Sequence, residues 1–295
     1  MRAVEPAEAA FVTSPDGVRI AYEIFGGGDP TILFLPSTPI VHSRQWKGQV
    51  PYFSRRHRVI AFDGRGNGRS GRPSEPADYH DDRYLDDVAA VLDGTGTERA
   101  VLVGLCVDGV WRAIRYAAAN PSRVHGLVAF AAGVPRLVPS HPWYANARFD
   151  DDMPTYEGWA KLNRHHWRRD YADFARFFFE EITSEPHSTK AIEDAVDWAL
   201  DGSVDAMIAD ADADFPFDLA AIEAICRAVQ CPMLVVHGTE DSCQPLARAE
   251  RLSEITGAPL VVIEGADHMI PARHPVLANL LIRDFVRSIA EETVQ

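Results

Sequence analysis

Cysteine is scarce in this sequence, and the positions of the few cysteines exclude two of the usual structural roles. The chain of 295 residues contains four, at Cys106, Cys226, Cys231 and Cys243. Their spacing matches neither a zinc-binding motif nor the disulfide framework of a small secreted protein. A glycine-rich dinucleotide-binding turn is also lacking. We therefore expect no metal, no other cofactor and reduced thiols, of which at least one is free for chemistry.

Positive charge and long apolar runs are lacking as well. Lys and Arg number 29 against 43 Asp and Glu, which gives a net charge of −14. Because this charge repels phosphate backbones and anionic lipids, we expect neither a nucleic-acid partner nor membrane association. The first ten residues have no apolar run, and the stretch near Gly126 to Val134 is too short to span a bilayer. A cytoplasmic protein is the expectation, and the sequence indicates no oligomeric state.

Short apolar runs alternate with helical patterns along most of the chain. Residues Val18–Ile24 alternate apolar and polar side chains, and with the turn Ser14–Gly17 they predict an N-terminal hairpin. The later runs are continuously apolar, as in strands buried on both faces of a parallel sheet. These runs are Thr31–Leu35, Val59–Phe62, Val101–Val103, Leu127–Phe130, Met233–Val236 and Leu260–Ile263. Helical stripes between them predict βαβ units and an α/β fold.

The alternation stops between residues 135 and 218. This segment is helical in pattern and rich in aromatic and charged residues, and it contains four of the six tryptophans: Trp143, Trp159, Trp167 and Trp198. We interpret it as a helical cap (residues 135–218) inserted into a core formed by residues 1–134 and 219–295.

The segment Val101–Val110 predicts a nucleophile turn. An apolar strand runs into Gly104-Leu105-Cys106-Val107-Asp108-Gly109, and a helical pattern follows. A nucleophile on such a sharp turn needs small neighbours, which Gly104 and Gly109 supply. The helix start directs backbone N–H groups at the side chain, where they can stabilise a thiolate and later an oxyanion.

Three further motifs, together with this turn, resemble the α/β-hydrolase superfamily over nearly the whole chain. They are Phe62–Ser70, His237–Asp241 and Gly265–His268, and the nucleophile, acid and histidine follow in that family's order. The resemblance implies an α/β-hydrolase fold, with a mostly parallel sheet and helices on both faces. It also implies a catalytic triad of Cys106, Asp241 and His268.

Two residues depart from the family pattern. Cys106 replaces the usual serine, as in dienelactone-hydrolase-like enzymes and some tetramate-forming cyclases of the superfamily. Asp108 replaces a small residue. It would raise the pKa of a neighbouring thiol, which the helix terminus would lower; alternatively, it complements the helix start and points away. Cys106 could instead be a buried residue of a lapsed site or a redox sensor.

His268 follows the last predicted strand, at the sheet edge where such folds bind ligands. There it can take the proton of Cys106 and return it to a leaving group. Asp241, after the strand Met233–Val236, would orient the imidazole, with Glu240 and Asp267 as local rivals.

The oxyanion hole should combine the N–H of Val107 with one from the loop after Thr31–Leu35. Pro36 has no N–H, so Ser37 is the preferred donor, followed by Thr38.

Candidate substrate contacts come from two regions. His42 and Trp46 follow the oxyanion loop and either line the mouth of the site or pack the loop. Within the cap, Trp167 and Tyr171 belong to a helical aromatic stripe that either packs internally or forms the pocket roof. Trp143 in the cap and Asp108 complete the predicted set.

These residues favour an acyl-transfer hydrolase that cleaves an ester, thioester or lactone through a thioester acyl-enzyme. The substrate would be a small acyl compound, free or carrier-bound. An acyltransferase or cyclase using the same intermediate is the alternative. A non-catalytic ligand receptor or redox sensor is the alternative from another class.

Overall fold

An eight-stranded sheet forms the centre of the computed structural model, which describes residues 4–37, 39–145, 147–186 and 189–292. The strands are β1 (Glu8–Thr13), β2 (Arg19–Phe25), β3 (Thr31–Phe34), β4 (Val59–Phe62), β5 (Ala100–Leu105), β6 (Val124–Phe130), β7 (Met233–Gly238) and β8 (Leu260–Ile263). They lie in the order β1-β2-β4-β3-β5-β6-β7-β8. Strand β2 pairs antiparallel with β1 and β4, and the other pairs are parallel. The predicted hairpin and mostly parallel sheet are confirmed.

The continuously apolar strands are buried on both faces, as their composition predicts. In β5, Val101 and Val103 belong to one hydrophobic cluster and Ala100 and Leu102 to a second, because successive side chains point to opposite faces. Strand β8 differs, since it lies at the sheet edge and Val262 is 44% exposed.

Helices cover both faces of the sheet. They are α1 (Val50–Phe53), α2 (Asp81–Gly94), α3 (Cys106–Ala119), α4 (Pro142–Ala145), α5 (Arg164–Ile182), α6 (Lys190–Leu200), α7 (Val204–Ala211), α8 (Leu219–Arg227), α9 (Leu246–Thr256), α10 (Ile270–Arg273) and α11 (Pro275–Glu292). Short 3-10 helices span Ser43–Trp46, Pro76–Tyr79, Pro121–Arg123 and Gly158–Lys161. No helix in these described ranges combines the length and apolarity needed to cross a bilayer.

The two hydrophobic clusters show which helices lie on which face. Helices α2, α3, α8 and α9 contribute Val88, Ile114, Ile222 and Leu252 to one cluster. Helices α1, α5, α6 and α11 contribute Phe53, Phe179, Trp198 and Ile282 to the other. Two cap helices therefore pack directly on the face that α1 and α11 also cover.

Residues 135–218, the predicted helical cap, contain helices and no strand in their described part. Its longest helix, α5, is interrupted at Asp170, where φ is −154° and ψ is 78°. Because this break separates Trp167 from Tyr171, the predicted aromatic stripe does not run along one continuous helix. Helix α8, which begins at Leu219, packs against α3 and α9 of the core.

Candidate active site

Cys106 occupies the sharp turn between β5 and α3. Its φ is +63°, a left-handed conformation that non-glycine residues seldom adopt and that is common at functional turns. The turn also brings strand and helix very close together. A Cβ on Gly104 would lie 2.4 Å from the carbonyl oxygen of Gly109, so a side chain cannot be accommodated there. Cys106 itself is half-buried.

The backbone around Val107 is similarly constrained. The first N–H groups of an α-helix have no partner within the helix, and Val107 lies in the first turn of α3. The loop after β6 approaches so closely that a Cβ on Gly133 would lie 2.3 Å from the Val107 nitrogen. The main chain at this helix start is therefore held from two sides.

His268 and Asp241 meet at the same edge of the sheet, in the loops after β8 and β7. The Nδ1 atom of His268 lies 2.9 Å from Oδ2 and 3.1 Å from Oδ1 of Asp241. Both side chains are buried. Asp241 Oδ1 also accepts the N–H groups of Cys243 and Gln244, each at 2.8 Å. The carboxylate is thus fixed by its own loop while it holds the imidazole.

The two rival acids lie elsewhere. Asp267 accepts the N–H of Met269 at 2.9 Å and that of Glu185 at 3.3 Å, and the side chain of Glu240 is exposed. Neither occupies the position beside His268 that Asp241 holds.

Asp241 fixes which nitrogen of His268 faces Cys106. Because Nδ1 is engaged by the carboxylate, Nε2 is left for the thiol, and the sulfur of Cys106 lies within 4.8 Å of a ring nitrogen of His268. A neutral imidazole with its proton on Nδ1 has a free lone pair on Nε2. This arrangement can remove a proton from the Cys106 thiol.

The surroundings shift the pKa values of these groups. Burial would raise the pKa of Asp241, but His268, His237 and the loop N–H group of Gln244 bring it below its usual value. Burial alone would lower the pKa of His268, and the carboxylate of Asp241 reverses that and raises it. Asp241 therefore favours the imidazolium that forms when His268 accepts a proton. Contact with Cys243, followed by burial, raises the pKa of Cys106, so ionisation of the thiol depends on His268.

His237, near the end of β7, lies beside Asp241. Its Nδ1 accepts the N–H of Ala132 at 3.1 Å, and its Nε2 lies 3.0 Å from the carbonyl of Gln244 and 3.4 Å from Asp241. An accepting Nδ1 and a donating Nε2 define the neutral tautomer. Burial lowers the pKa of His237 and therefore also favours the neutral form.

The fold agrees with that of known proteins. Residues 30–275 match the family described as alpha/beta hydrolase fold. The chain belongs to this family. It is 30% identical to a non-heme chloroperoxidase from Streptomyces lividans, over 94% of this chain and 99% of that protein. A bifunctional esterase/perhydrolase from Acinetobacter calcoaceticus is 26% identical, with the same coverage. The crystal structure of an esterase from Rhodococcus sp. ECU1013 superposes with a TM-score of 0.78 at 22% identity, over 95% of this chain and 99% of that one.

The loop after β3 in this alpha/beta hydrolase carries Ser37, the oxyanion donor that the sequence favours. Ser37 Oγ donates to the carbonyl of Leu105 at 2.9 Å, so the loop does lie against the nucleophile turn. Gln45 is buried, and both polar atoms of its side-chain amide find hydrogen-bond partners when the amide oxygen faces Ser37. In this orientation the oxygen accepts the N–H of Ser37 at 3.2 Å. That N–H is already paired inside the loop. Thr38, the second predicted donor, lies outside the described residues.

Trp46 is not part of the mouth of the site, because it is fully buried. Its Nε1 donates to the carbonyl of Leu35 at 2.8 Å, and its ring packs 4.9 Å from that of Phe34. It therefore packs the oxyanion loop against the core. His42 is buried too, but it lines a cleft of about 310 Å³ between the core and Asp201 at the end of α6.

Trp143 connects the cap of this hydrolase to the acid loop. Its Nε1 donates to the carbonyl of Ser242 at 3.0 Å, and its ring stacks on Trp159 at a centroid distance of 3.4 Å. Nearby, Nε2 of His141 lies 3.2 Å from the carbonyl of Asp241. The first part of the predicted cap is thus attached directly to the loop that carries Asp241.

Trp167 and Tyr171 lie in an aromatic cluster within the cap. Trp167 is buried and packs against Phe149 and Phe174 at centroid distances of 5.0 and 4.8 Å. Packing is therefore the main role of Trp167. Among the described residues, its Nε1 and the hydroxyl of Tyr171 are buried without a hydrogen-bond partner, an uncommon and unfavourable state.

Asp108 points along its own helix. Its carboxylate pairs with Arg112, one turn further on, at 2.8 Å. Arg112 also lies 3.8 Å from Asp210 of cap helix α7, to which Tyr84 donates a hydrogen bond. This geometry favours the alternative in which Asp108 complements the helix start.

Sequence reasoning missed Cys243 and Gln244, which lie two and three residues after Asp241. Gln244 Nε2 lies 3.8 Å from the sulfur of Cys106 and 3.4 Å from that of Cys243. The side-chain oxygen of Gln244 accepts a hydrogen bond from Arg248. Their proximity to Asp241 in the sequence was the available signal, but only the fold brings them to Cys106.

Proposed function

We propose that this protein hydrolyses an ester, thioester or lactone of a small molecule, with Cys106 as nucleophile. The observation that carries the proposal is the contact of Asp241 with Nδ1 of His268, which leaves the other ring nitrogen to a thiol on a strained turn. The esterase activity named for the Acinetobacter relative supports the same reaction class.

In the first half-reaction, the sulfur of Cys106 attacks the acyl carbonyl carbon as His268 removes the thiol proton. The carbonyl π electrons move to oxygen, and the N–H of Val107 donates to the resulting oxyanion. Ser37 and Thr38 are the candidates for the second donor, and the N–H of Ser37 is engaged by Gln45 before substrate binds. Collapse of this intermediate expels the alcohol or thiol, which takes the proton from His268.

In the second half-reaction, His268 removes a proton from water, whose oxygen attacks the thioester carbonyl. The carbon–sulfur bond breaks, the acid is released, and the proton returns to the sulfur of Cys106. Asp241 stabilises the imidazolium in both halves. Water is the proposed acceptor of the acyl group.

The cap suggests an acyl group with both apolar and polar parts. Aromatic side chains dominate its interior, and such surfaces accommodate apolar groups. We assign the polar contact to the hydroxyl of Tyr171, which has no hydrogen-bond partner among the described residues and would gain one in a substrate oxygen.

Replacement of the nucleophile tests this function. We expect Cys106→Ala to reduce turnover of a short activated ester to the rate without enzyme, because the variant lacks the sulfur that forms the acyl-enzyme. Iodoacetamide should label Cys106 in the wild-type protein. Cys231→Ala, which removes a thiol before β7 at the opposite end of the sheet, is the matched control and should retain activity. Wild-type turnover by Cys106→Ala would contradict the proposal.

A further inference from the structure

Cys243 brings a second sulfur into the triad. The sulfur atoms of Cys106 and Cys243 and a ring nitrogen of His268 all lie within 4.8 Å of one another. Cys106 and Cys243 are half-buried. Because the two cysteines are far apart in the sequence, no spacing motif could indicate this cluster.

These three donors match the requirements of a thiophilic cation. Zinc binds thiolate at about 2.3 Å and imidazole at about 2.0 Å, so donors of a tetrahedral site lie roughly 3.5 to 3.8 Å apart. Movements of well under an ångström per side chain would bring the three atoms to that separation. Two cysteines and one histidine, with a fourth position open, are a known ligand set for zinc.

The surrounding residues are also those of a metal site. Nδ1 of His268 is held by Asp241 at 2.9 Å, which directs the free lone pair of the other nitrogen towards the sulfurs. A carboxylate behind a metal-bound histidine fixes the ring and increases its basicity. The amide of Gln244 approaches both sulfurs, at 3.8 and 3.4 Å, and can donate to bound thiolates.

We propose that Cys106, Cys243 and His268 bind one thiophilic divalent cation, such as Zn²⁺, and that its occupancy switches the enzyme off. Binding displaces the two thiol protons to solvent and leaves a neutral bis-thiolate site. The cation takes the sulfur that would attack the substrate and the nitrogen lone pair that would accept the proton. The inhibition rests on the proposed function, whereas the binding does not.

The test is a zinc titration of reduced, metal-free protein in competition with a chromophoric chelator. We expect one zinc per chain. Cys243→Ser should weaken binding by at least about 100-fold, since loss of an outer-shell partner alone costs about 10- to 100-fold. Cys231→Ser is the matched control, because Cys231 and Cys243 lie at opposite ends of β7, and its affinity should equal that of the wild type. Titration with Co²⁺ should produce a thiolate charge-transfer absorption band that Cys243→Ser lacks.

Equal zinc affinity of wild type and Cys243→Ser, or no binding by wild type, would overturn the site. Thermal unfolding checks that each variant is folded, and Cys243→Ala provides a second substitution. Hydrolysis by the metal-free enzyme is measured separately, so loss of the proposed function and loss of the metal site give different results. In wild-type protein that both hydrolyses the ester and binds zinc, zinc should abolish ester turnover and a chelator should restore it.

Discussion

Two aspartates, Asp241 in the loop after β7 and Asp210 in helix α7, have pKa values that are shifted in opposite directions. Burial would raise the pKa of both. In Asp241 the contact with His268 reverses this effect, and the pKa falls below its usual value. In Asp210 the negative charge of Asp108 adds to burial, Arg112 only partly compensates, and the pKa rises to about 7. The number and charge of the neighbouring groups therefore decide which carboxylate stays ionised for catalysis.

The largest expected effect is on the histidine that Asp241 supports. We expect His268→Asn to lower kcat/KM by about 10,000-fold, because neither thiol deprotonation nor protonation of the leaving group has another general base or acid. Steady-state hydrolysis of an activated ester measures the loss. A reduction of less than tenfold in a folded variant would show that His268 is not the base.

A smaller loss is expected at the carboxylate itself. Asp241→Asn keeps the shape of the side chain but removes the charge that stabilises the imidazolium, so kcat should fall by about 100- to 1,000-fold. The same assay, with circular dichroism to check folding, measures it. Asp210→Asn is the matched control on the cap side and should change kcat by less than about threefold. Equal losses in the two variants would remove the distinction between these aspartates.

Asp210 should instead affect stability, in a pH-dependent way. The unfolded carboxyl has a pKa near 3.8 and the folded one about 7, so the native state binds the additional proton between these values. Stability contributed by this proton is therefore lost as pH rises from about 4 to 7. Asp108, Arg112, Tyr84 and Asp81 are the charged or titratable groups that face Asp210.

Asp210→Asn removes the free-energy cost of ionising this carboxyl group in the folded protein. The gain in the free energy of unfolding should be about 1–2 kcal/mol larger at pH 8 than at pH 5. Urea denaturation at the two pH values measures it, and the exposed Asp205→Asn on the same helix is the control. A gain independent of pH would contradict the raised pKa.

The smallest effect is expected at the unpaired donor in the cap. If the hydroxyl of Tyr171 binds substrate, Tyr171→Phe should raise KM by about three- to tenfold and leave kcat unchanged, since loss of one neutral hydrogen bond costs about 1 kcal/mol. Unfolding by urea gives the control, because Phe should not destabilise a site where the hydroxyl has no partner. An unchanged KM would assign Tyr171 to packing alone.

Local patterns predicted the sheet and the alignment of the three motif loops along its edge. Apolar runs specify the buried strands, and Gly104 and Gly109 specify the turn that presents Cys106. The neighbours of the thiol could not be predicted, because only tertiary folding brings Cys243 and Gln244 of the loop after β7 to Cys106. Trp46 was ambiguous for a similar reason: whether a loop tryptophan faces a cleft or the core depends on tertiary packing. The break in α5 at Asp170 carries no proline or glycine that would have indicated it.

Intact-mass spectrometry of the metal-free protein, mixed rapidly with an activated acyl ester and quenched in acid, tests the nucleophile most directly. The account predicts a mass increase equal to one acyl group, mapped by peptide analysis to Cys106, removed by hydroxylamine and absent from Cys106→Ala. An acyl adduct on a different residue, or ester turnover with Cys106 replaced, would contradict it.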